Sequence, residues 1–76
     1  MTRLPRVTGA HVVRSLRKVG FEVVRQRGSH VIMKHPDGRS TVVPIHGGET
    51  IGVGLLSKIQ KDIEIGREAF MDLLDN

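Results

Sequence analysis

The chain has no cysteine among its 76 residues. This absence excludes disulfide bridges, thiolate metal sites and cysteine nucleophiles, and it leaves nothing that would require an oxidising compartment. Tryptophan and tyrosine are absent as well, and the two phenylalanines fall in apolar patterns typical of a core. Stacking of nucleobases on aromatic side chains is therefore excluded as a binding mode.

Long apolar runs are also missing. No segment approaches the roughly 20 apolar residues that a membrane-spanning helix needs, and Met1 to Arg6 lead into no apolar stretch of signal-peptide length. We therefore expect no membrane contact and a cytoplasmic location. With 38% apolar and 26% charged residues, the composition is that of a folded protein, and we expect one domain spanning residues 1–76.

Positive charge is concentrated in the first two-thirds of the chain. Residues 1–48 hold nine Lys/Arg against two Asp/Glu, a net +7, whereas residues 49–76 hold three against six, a net −3. Clustered cations raise the affinity for phosphate backbones by releasing counterions, so the first part suggests a surface for a polyanion. A solvated basic face is the alternative, because charge alone specifies no partner.

Three segments carry apolar residues at helical spacing. The first follows Thr8, which suits the N-cap position, and is expected to end at Gly20. The second follows a glycine-rich loop over residues 45–54, and the third begins after Gly66, where Glu68 suits a helix N-terminus. Their predicted apolar faces are Val12, Val13, Leu16 and Val19 in the first, Leu55, Leu56, Ile59 and Ile63 in the second, and Phe70, Leu73 and Leu74 in the third.

Three short segments between the first two helices have the composition of strands, namely residues 21–27, 30–35 and 39–43. Gly28-Ser29 and Pro36-Asp37-Gly38 supply turns between them, and Pro44 ends the third. Connections this short join antiparallel neighbours, since a parallel return needs a dozen residues or more. The predicted fold is α+β in the order α-β-β-β-α, a three-stranded antiparallel sheet with the helices on one face, plus a short C-terminal helix.

Alternation along the second strand separates two sets of side chains, His30, Ile32 and Lys34 on one face and Val31, Met33 and His35 on the other. The second set can pack with Phe21 or Val24 from the neighbouring strand, so it is predicted to face the core. His30 is then expected on the open face of the sheet, beside several cations.

A histidine in that position suits RNA cleavage. Its neutral imidazole can accept the proton of a ribose 2′-hydroxyl near neutral pH, a group that DNA lacks. Gly28 would allow close approach of a phosphate backbone and Ser29 could donate a hydrogen bond, although Gly-Ser-His also makes an ordinary hairpin turn. The cations predicted to hold phosphates are Arg25, Arg27, Lys34 and Arg39.

The other histidines have structural explanations beside the functional ones. His46, in a glycine-rich loop, could donate a proton to the leaving 5′-oxygen or could form a loop hydrogen bond. His35 is predicted to cap the hairpin or pack against the first helix, and His11 to be a solvated surface residue. No carboxylate or cysteine completes a metal-ligand pattern with His30, His35 and His46, so no metal is expected.

Several of these motifs together resemble the HicA (YcfA-like) mRNA interferase toxins. The resemblance runs from Thr8 to about Leu74, and it is carried by Gly20-Phe21, Arg25-Gln-Arg-Gly-Ser-His30, His35-Pro-Asp-Gly38, Val43-Pro44 and His46-Gly47. Its Gly-Ser-His followed by His-Pro is fairly specific in combination. The sequence Thr50-Ile-Gly-Val-Gly-Leu-Leu56 departs from the lysines and threonine common in that family, so an RNA contact there would use backbone N–H groups.

The resemblance implies a double-stranded-RNA-binding-domain-like fold and ribosome-independent cleavage of mRNA by His30, as the toxin of a type II toxin–antitoxin system. Since no metal site is expected, the predicted enzyme is a metal-independent endoribonuclease. It also implies a HicB-type antitoxin that covers this histidine, and no small-molecule cofactor. A non-catalytic double-stranded-RNA-binding module is the alternative from another class. In that case His30 would be one polar contact among others, although a pure binder has no chemical need for an intact Gly-Ser-His.

Overall fold

The computed structural model describes residues 6–75. The segment Met1 to Arg6, in which we expect no signal peptide, lies mostly outside these residues. The elements are α1 (Gly9–Arg17), β1 (Glu22–Arg27), β2 (His30–Lys34), β3 (Ser40–Pro44), α2 (Val53–Asp62) and α3 (Arg67–Asp75). Their order and type confirm the predicted α+β fold. None of the helices in the described part of the chain is long and apolar enough to cross a lipid bilayer.

Helix α1 begins as its sequence predicts. The side chain of Thr8 accepts a hydrogen bond from the backbone N–H of His11 at 3.2 Å, which satisfies one of the free donors of the first turn. The chain then reverses at Gly20, whose φ of +96° is one that residues with a side chain rarely adopt. The prediction that Val19 belongs to the buried face is wrong, because the helix ends at Arg17 and leaves Val19 37% exposed.

The three strands form one antiparallel sheet in the order β1-β2-β3. Strand β1 contains a bulge, since Val23 pairs with Met33 and Arg25 with Ile32, which leaves Val24 without a partner of its own. Of the two candidates for packing on β2, Phe21 is fully buried. The alternative prediction, that Val24 packs there, is wrong, because Val24 lies in the bulge and is 54% exposed.

The core lies between one face of the sheet and the helices. Val31 and Met33 of β2 are buried there as predicted, together with Thr41 and Val43 of β3. Helices α1 and α2 both pack against β3, so the covered part of the sheet is its β3 side, while β1 is exposed along its length. Leu55 was predicted to face the core, but it lies in the first turn of α2 and is 38% exposed.

Helix α3, the last element of the chain, packs on α1. Its residues Phe70 and Leu74 are buried and Leu73 is partly buried, as the helical spacing predicts. The Nε2–H of His11 donates to the backbone carbonyl of Leu74, which lies near the C-terminal end of α3. The prediction of a solvated His11 is therefore wrong, because this histidine is half-buried and joins the first helix to the last.

Candidate active site

The uncovered surface of the sheet carries most of the predicted site residues. Directly opposed residues of an antiparallel pair lie on the same face, so the strand register identifies the members of this surface. We call it the open face. It consists of Glu22, Arg25 and Arg27 from β1, His30, Ile32 and Lys34 from β2, and Ser40, Val42 and Pro44 from β3.

His30 is the first residue of β2 and lies in the middle of one end of the open face. Its cross-strand neighbours are Arg27 on β1 and Pro44 on β3. The side chain is exposed, and among residues 6–75 its imidazole has no hydrogen-bond or ion-pair partner. Its ring nitrogens are therefore accessible to a ligand that approaches the open face.

A glycine and two hydrogen bonds hold the turn before His30 in place. Gly28 occupies the first turn position with a φ of +58°, as a type II′ hairpin turn requires. The side-chain amide of Gln26 donates to the carbonyl of Gly28 at 3.1 Å, and the N–H of Ile45 donates to the carbonyl of Ser29 at 2.6 Å. These bonds fix the backbone on both sides of the turn, so His30 is positioned by the scaffold.

Three of the four predicted phosphate-binding cations lie on the open face. Arg27 is directly across from His30, and Arg25 lies two residues further along the same strand. Lys34 is at the other end of β2, roughly 13 Å away at about 3.3 Å per residue, and is opposite Glu22. No ion pair involves these three cations within the described part of the chain.

Arg39, the fourth predicted cation, lies on the helix side of the sheet. Its Nε is 2.8 Å from Oδ2 of Asp37, and its Nη1 donates to the carbonyl of Ile63 at 2.6 Å. The guanidinium also lies over the ring of Phe21, 5.2 Å from its centroid. The structure therefore does not bring Arg39 to the open face, and its contact with RNA stays a prediction.

A cleft of about 440 Å³ opens beside His30, between the open face of β3 and the amino end of α2. Val42, Pro44 and Leu55 give it apolar walls, whereas His30, His46 and Lys58 contribute polar groups. Gly52, the N-cap residue of α2, also lines the cleft, and no side chain within residues 6–75 caps this helix end. Backbone N–H groups at such an end favour anions.

His46 reaches this cleft from the loop that follows β3. Its Nε2 is 3.4 Å from the Oγ of Ser29, a long hydrogen-bonding contact. The structure therefore brings together His30, His46, Gly28 and Ser29 with two arginines at one end of the sheet.

His35 is on the core side of the sheet, as predicted. Its ring packs edge-on against Phe21 with 5.1 Å between centroids, and its Nδ1 is 3.0 Å from Oδ1 of Asp37. The backbone N–H of Arg39, and after it the Arg39 guanidinium, hold the pKa of Asp37 below its ordinary value of 3.8. Among residues 6–75, no three His, Cys, Asp or Glu side chains lie close enough to bind a metal ion.

Residues 6–65 match the family model described as the HicA toxin of bacterial toxin–antitoxin systems. This chain belongs to the HicA family. The match covers most of the chain, so it confirms the resemblance carried by the motifs. A HicA toxin acts within a toxin–antitoxin pair, which implies that this chain has an antitoxin partner. No curated protein matches the chain.

Sequence reasoning expected only backbone N–H groups at the start of α2 and missed the side chains that this helix contributes to the site of this HicA protein. Leu55 and Lys58, three positions apart on one helix face, both line the cleft. The Nζ of Lys58 is 3.0 Å from Oδ2 of Asp62, an i,i+4 pair that holds its side chain along the helix. The spacing places these residues on one side of α2, but only the packing of that helix against β3 places that side next to His30.

Proposed function

We propose that this HicA toxin is a metal-independent endoribonuclease that binds mRNA on the open face and cleaves it with His30 as general base. The observation that carries the proposal is the position of that imidazole. It is exposed, it has no partner among the described residues, and it lies between Arg27 and the cleft. A histidine packed in the interior could not reach a ribose.

The chemistry follows from the groups around His30. The neutral imidazole accepts the proton of the ribose 2′-hydroxyl, and the 2′-oxygen attacks the adjacent phosphorus. Charge that develops on the phosphate oxygens is stabilised by Arg27, the cross-strand neighbour of His30. The products are a 2′,3′-cyclic phosphate and a 5′-hydroxyl.

RNA specificity and affinity come from different parts of the site. The 2′-hydroxyl is the nucleophile, so a DNA strand of the same sequence binds but is not cut. Arg25, Arg27 and Lys34 contact phosphates along the strand, and these contacts make binding dependent on salt but not on sequence. No atom of the described residues lies within 4 Å of where a Cβ of Gly28 would be, so a backbone can approach this glycine closely.

The antitoxin of this pair is proposed to be of the HicB type and to cover His30 in the cytoplasm. The open face supports this, because it combines exposed apolar residues with cations that an acidic partner can neutralise. Val42 is 43% exposed there, and it lies across β2 from Arg25, since both residues pair with Ile32. Covering this face would block access of RNA to the histidine.

The decisive experiment measures cleavage of an end-labelled mRNA by the purified toxin in the presence of a chelator. His30→Ala should lower the initial rate by about 100- to 10,000-fold, the usual contribution of a general base. His35→Ala is the matched control, because it removes a histidine that lies just past the other end of β2 and on the core face. The control should cut at close to the wild-type rate under conditions where it is folded.

Two results would contradict the proposal. A wild-type protein that binds RNA tightly but leaves it intact would be a non-catalytic RNA-binding module. Equal cleavage by the wild type and by His30→Ala would show that another group is the base. Fragments ending in a 2′,3′-cyclic phosphate, formed without added metal, are the expected products.

A further inference from the structure

His46 has no role in the mechanism proposed above, although it lies in the same cleft as His30. Its contact with Ser29, the residue just before His30, brings the two imidazoles to one site from different elements. Histidine is the side chain whose charge changes between pH 5 and pH 8. Two such side chains at one site can hold different protonation states during the same reaction.

The loop holds His46 at this place through its backbone. One residue earlier, the N–H of Ile45 donates to the carbonyl of Ser29 at 2.6 Å. On the other side, the N–H groups of Gly48 and Glu49 both donate to the carbonyl of His46, at 2.7 and 2.8 Å. The backbone is therefore fixed on both sides of His46, while its side chain stays exposed toward the cleft.

Transesterification of RNA needs a second proton transfer. When the 2′-oxygen forms its bond to phosphorus, the bond from phosphorus to the 5′-oxygen breaks, and that oxygen leaves as an alkoxide unless it receives a proton. We propose that His46 is the general acid, which gives its imidazolium proton to the leaving 5′-oxygen while His30 accepts the proton of the 2′-hydroxyl. This inference rests on the proposed function and completes its proton balance.

The other titratable groups that line the cleft are less suited to this step. Among the described residues they are Glu49 and Lys58. The ammonium of Lys58 already donates to Asp62 at 3.0 Å. Glu49 follows the turn that His46 begins and, when ionised, can only accept hydrogen bonds. Among the described lining groups, His46 is the imidazole other than His30, and it contacts the residue next to the base.

A positioning role for His46 is the competing explanation, since its contact with Ser29 could simply hold the turn in place. The two roles are separated by the leaving group of the substrate. In an RNA whose scissile 5′-oxygen is replaced by sulfur, the leaving thiolate needs no proton, because a thiol, with a pKa of about 8.5, is a far stronger acid than an aliphatic hydroxyl. General-acid catalysis is dispensable for that substrate, whereas correct positioning is not.

The experiment compares wild type, His46→Ala, His46→Gln and His30→Ala on normal RNA and on this 5′-thio RNA. On normal RNA, both His46 variants should be slower than wild type by about 100-fold or more. On the 5′-thio substrate, both should approach the wild-type rate. His30→Ala should remain slow on both substrates, because deprotonation of the 2′-hydroxyl is needed in each case.

Four outcomes would overturn the inference. Equal defects of His46→Ala on both substrates would assign it a positioning role, and so would recovery of normal cleavage in His46→Gln, since glutamine can still hydrogen-bond to Ser29 but is not an acid. Normal cleavage by His46→Ala, with His30→Ala inactive, would show that His46 is not the general acid and would leave the proposed function intact. A wild-type protein that cuts neither substrate would contradict both the role of His46 and the proposed function. Circular dichroism of each variant checks that it is folded.

Discussion

The two ends of strand β2 each carry a histidine, and the surroundings of the two differ in almost every respect. His30, at the start of the strand, is exposed on the open face and has no partner within residues 6–75. His35, just past the end of the strand, packs against Phe21 and lies 3.0 Å from a carboxylate oxygen of Asp37. One end therefore keeps its polar groups available to a ligand, while the other uses them to hold the fold.

The same division separates the arginines. Arg27 extends from the open face next to His30, whereas the guanidinium of Arg39 has Asp37, Ile63 and Phe21 as partners. Positive charge near the hairpin is thus of two kinds, one available for phosphates and one engaged within the protein. Substitutions at the two ends should accordingly change different measured quantities.

Substitutions of Arg39 and Arg27 are expected to give the largest contrast, one in the stability of the fold and the other in RNA binding. Arg39→Ala should lower the free energy of unfolding by about 1.5–3 kcal/mol, because it removes hydrogen bonds made by a charged group. Arg27→Ala should leave stability almost unchanged, weaken RNA binding, and reduce the slope of log affinity against log salt by about 1. Urea denaturation and RNA titration at several salt concentrations measure the two effects. A loss of stability in Arg27→Ala that matches the loss in Arg39→Ala would contradict the division.

Two glycines sharpen the comparison at the level of the backbone. Both adopt a positive φ, +96° at Gly20 and +58° at Gly28, so alanine is strained at each by about 1–2 kcal/mol. A Cβ at Gly20 would also lie 2.7 Å from Nε2 of His35, whereas a Cβ at Gly28 would meet nothing within 4 Å. Gly20→Ala should therefore cost about 1 kcal/mol more than Gly28→Ala, since the ring of His35 must leave Phe21.

Thermal or urea unfolding of the two alanine variants measures that difference. If the two lose the same stability, the ring of His35 can move away without cost, and its packing does not contribute to the fold. A larger loss at Gly28 would mean that the turn before His30, and not the far end of the strand, is the more constrained of the two.

The smallest expected effect is the contribution of Asp37 to the pH dependence of folding stability. Its pKa is lowered in the folded protein, first by the backbone N–H of Arg39 and then by the Arg39 guanidinium. The ionised carboxylate therefore stabilises the fold at neutral pH, and this stabilisation is lost as the pH falls below the ordinary value of 3.8. In urea denaturation, wild type should be more stable than Asp37→Asn at pH 7, and the difference should shrink toward pH 3. A difference that stays constant over this range would exclude the carboxylate as its cause.

Much of the fold and part of the site follow from local patterns. The helix and strand periods, the turn residues and the cap at Thr8 each act over a few residues, so the sequence alone predicts the element order and the exposure of His30. The position of Arg39 depends on the approach of the distant carbonyl of Ile63, and the cleft depends on the packing of α2 against β3. Such long-range contacts leave no periodic signal in the sequence.

The bulge at Val24 was equally unpredictable, because no glycine or proline marks it. In a regular strand, residues 23, 25 and 27 would point to the same face. The additional residue breaks this rule once, so Val23 pairs with Met33 on the helix side while Arg25 and Arg27 pair with Ile32 and His30 on the open face. A single inserted residue in a six-residue strand thus decides which way two guanidinium groups point: toward a ligand on the open face and not, with Val23, toward the helices.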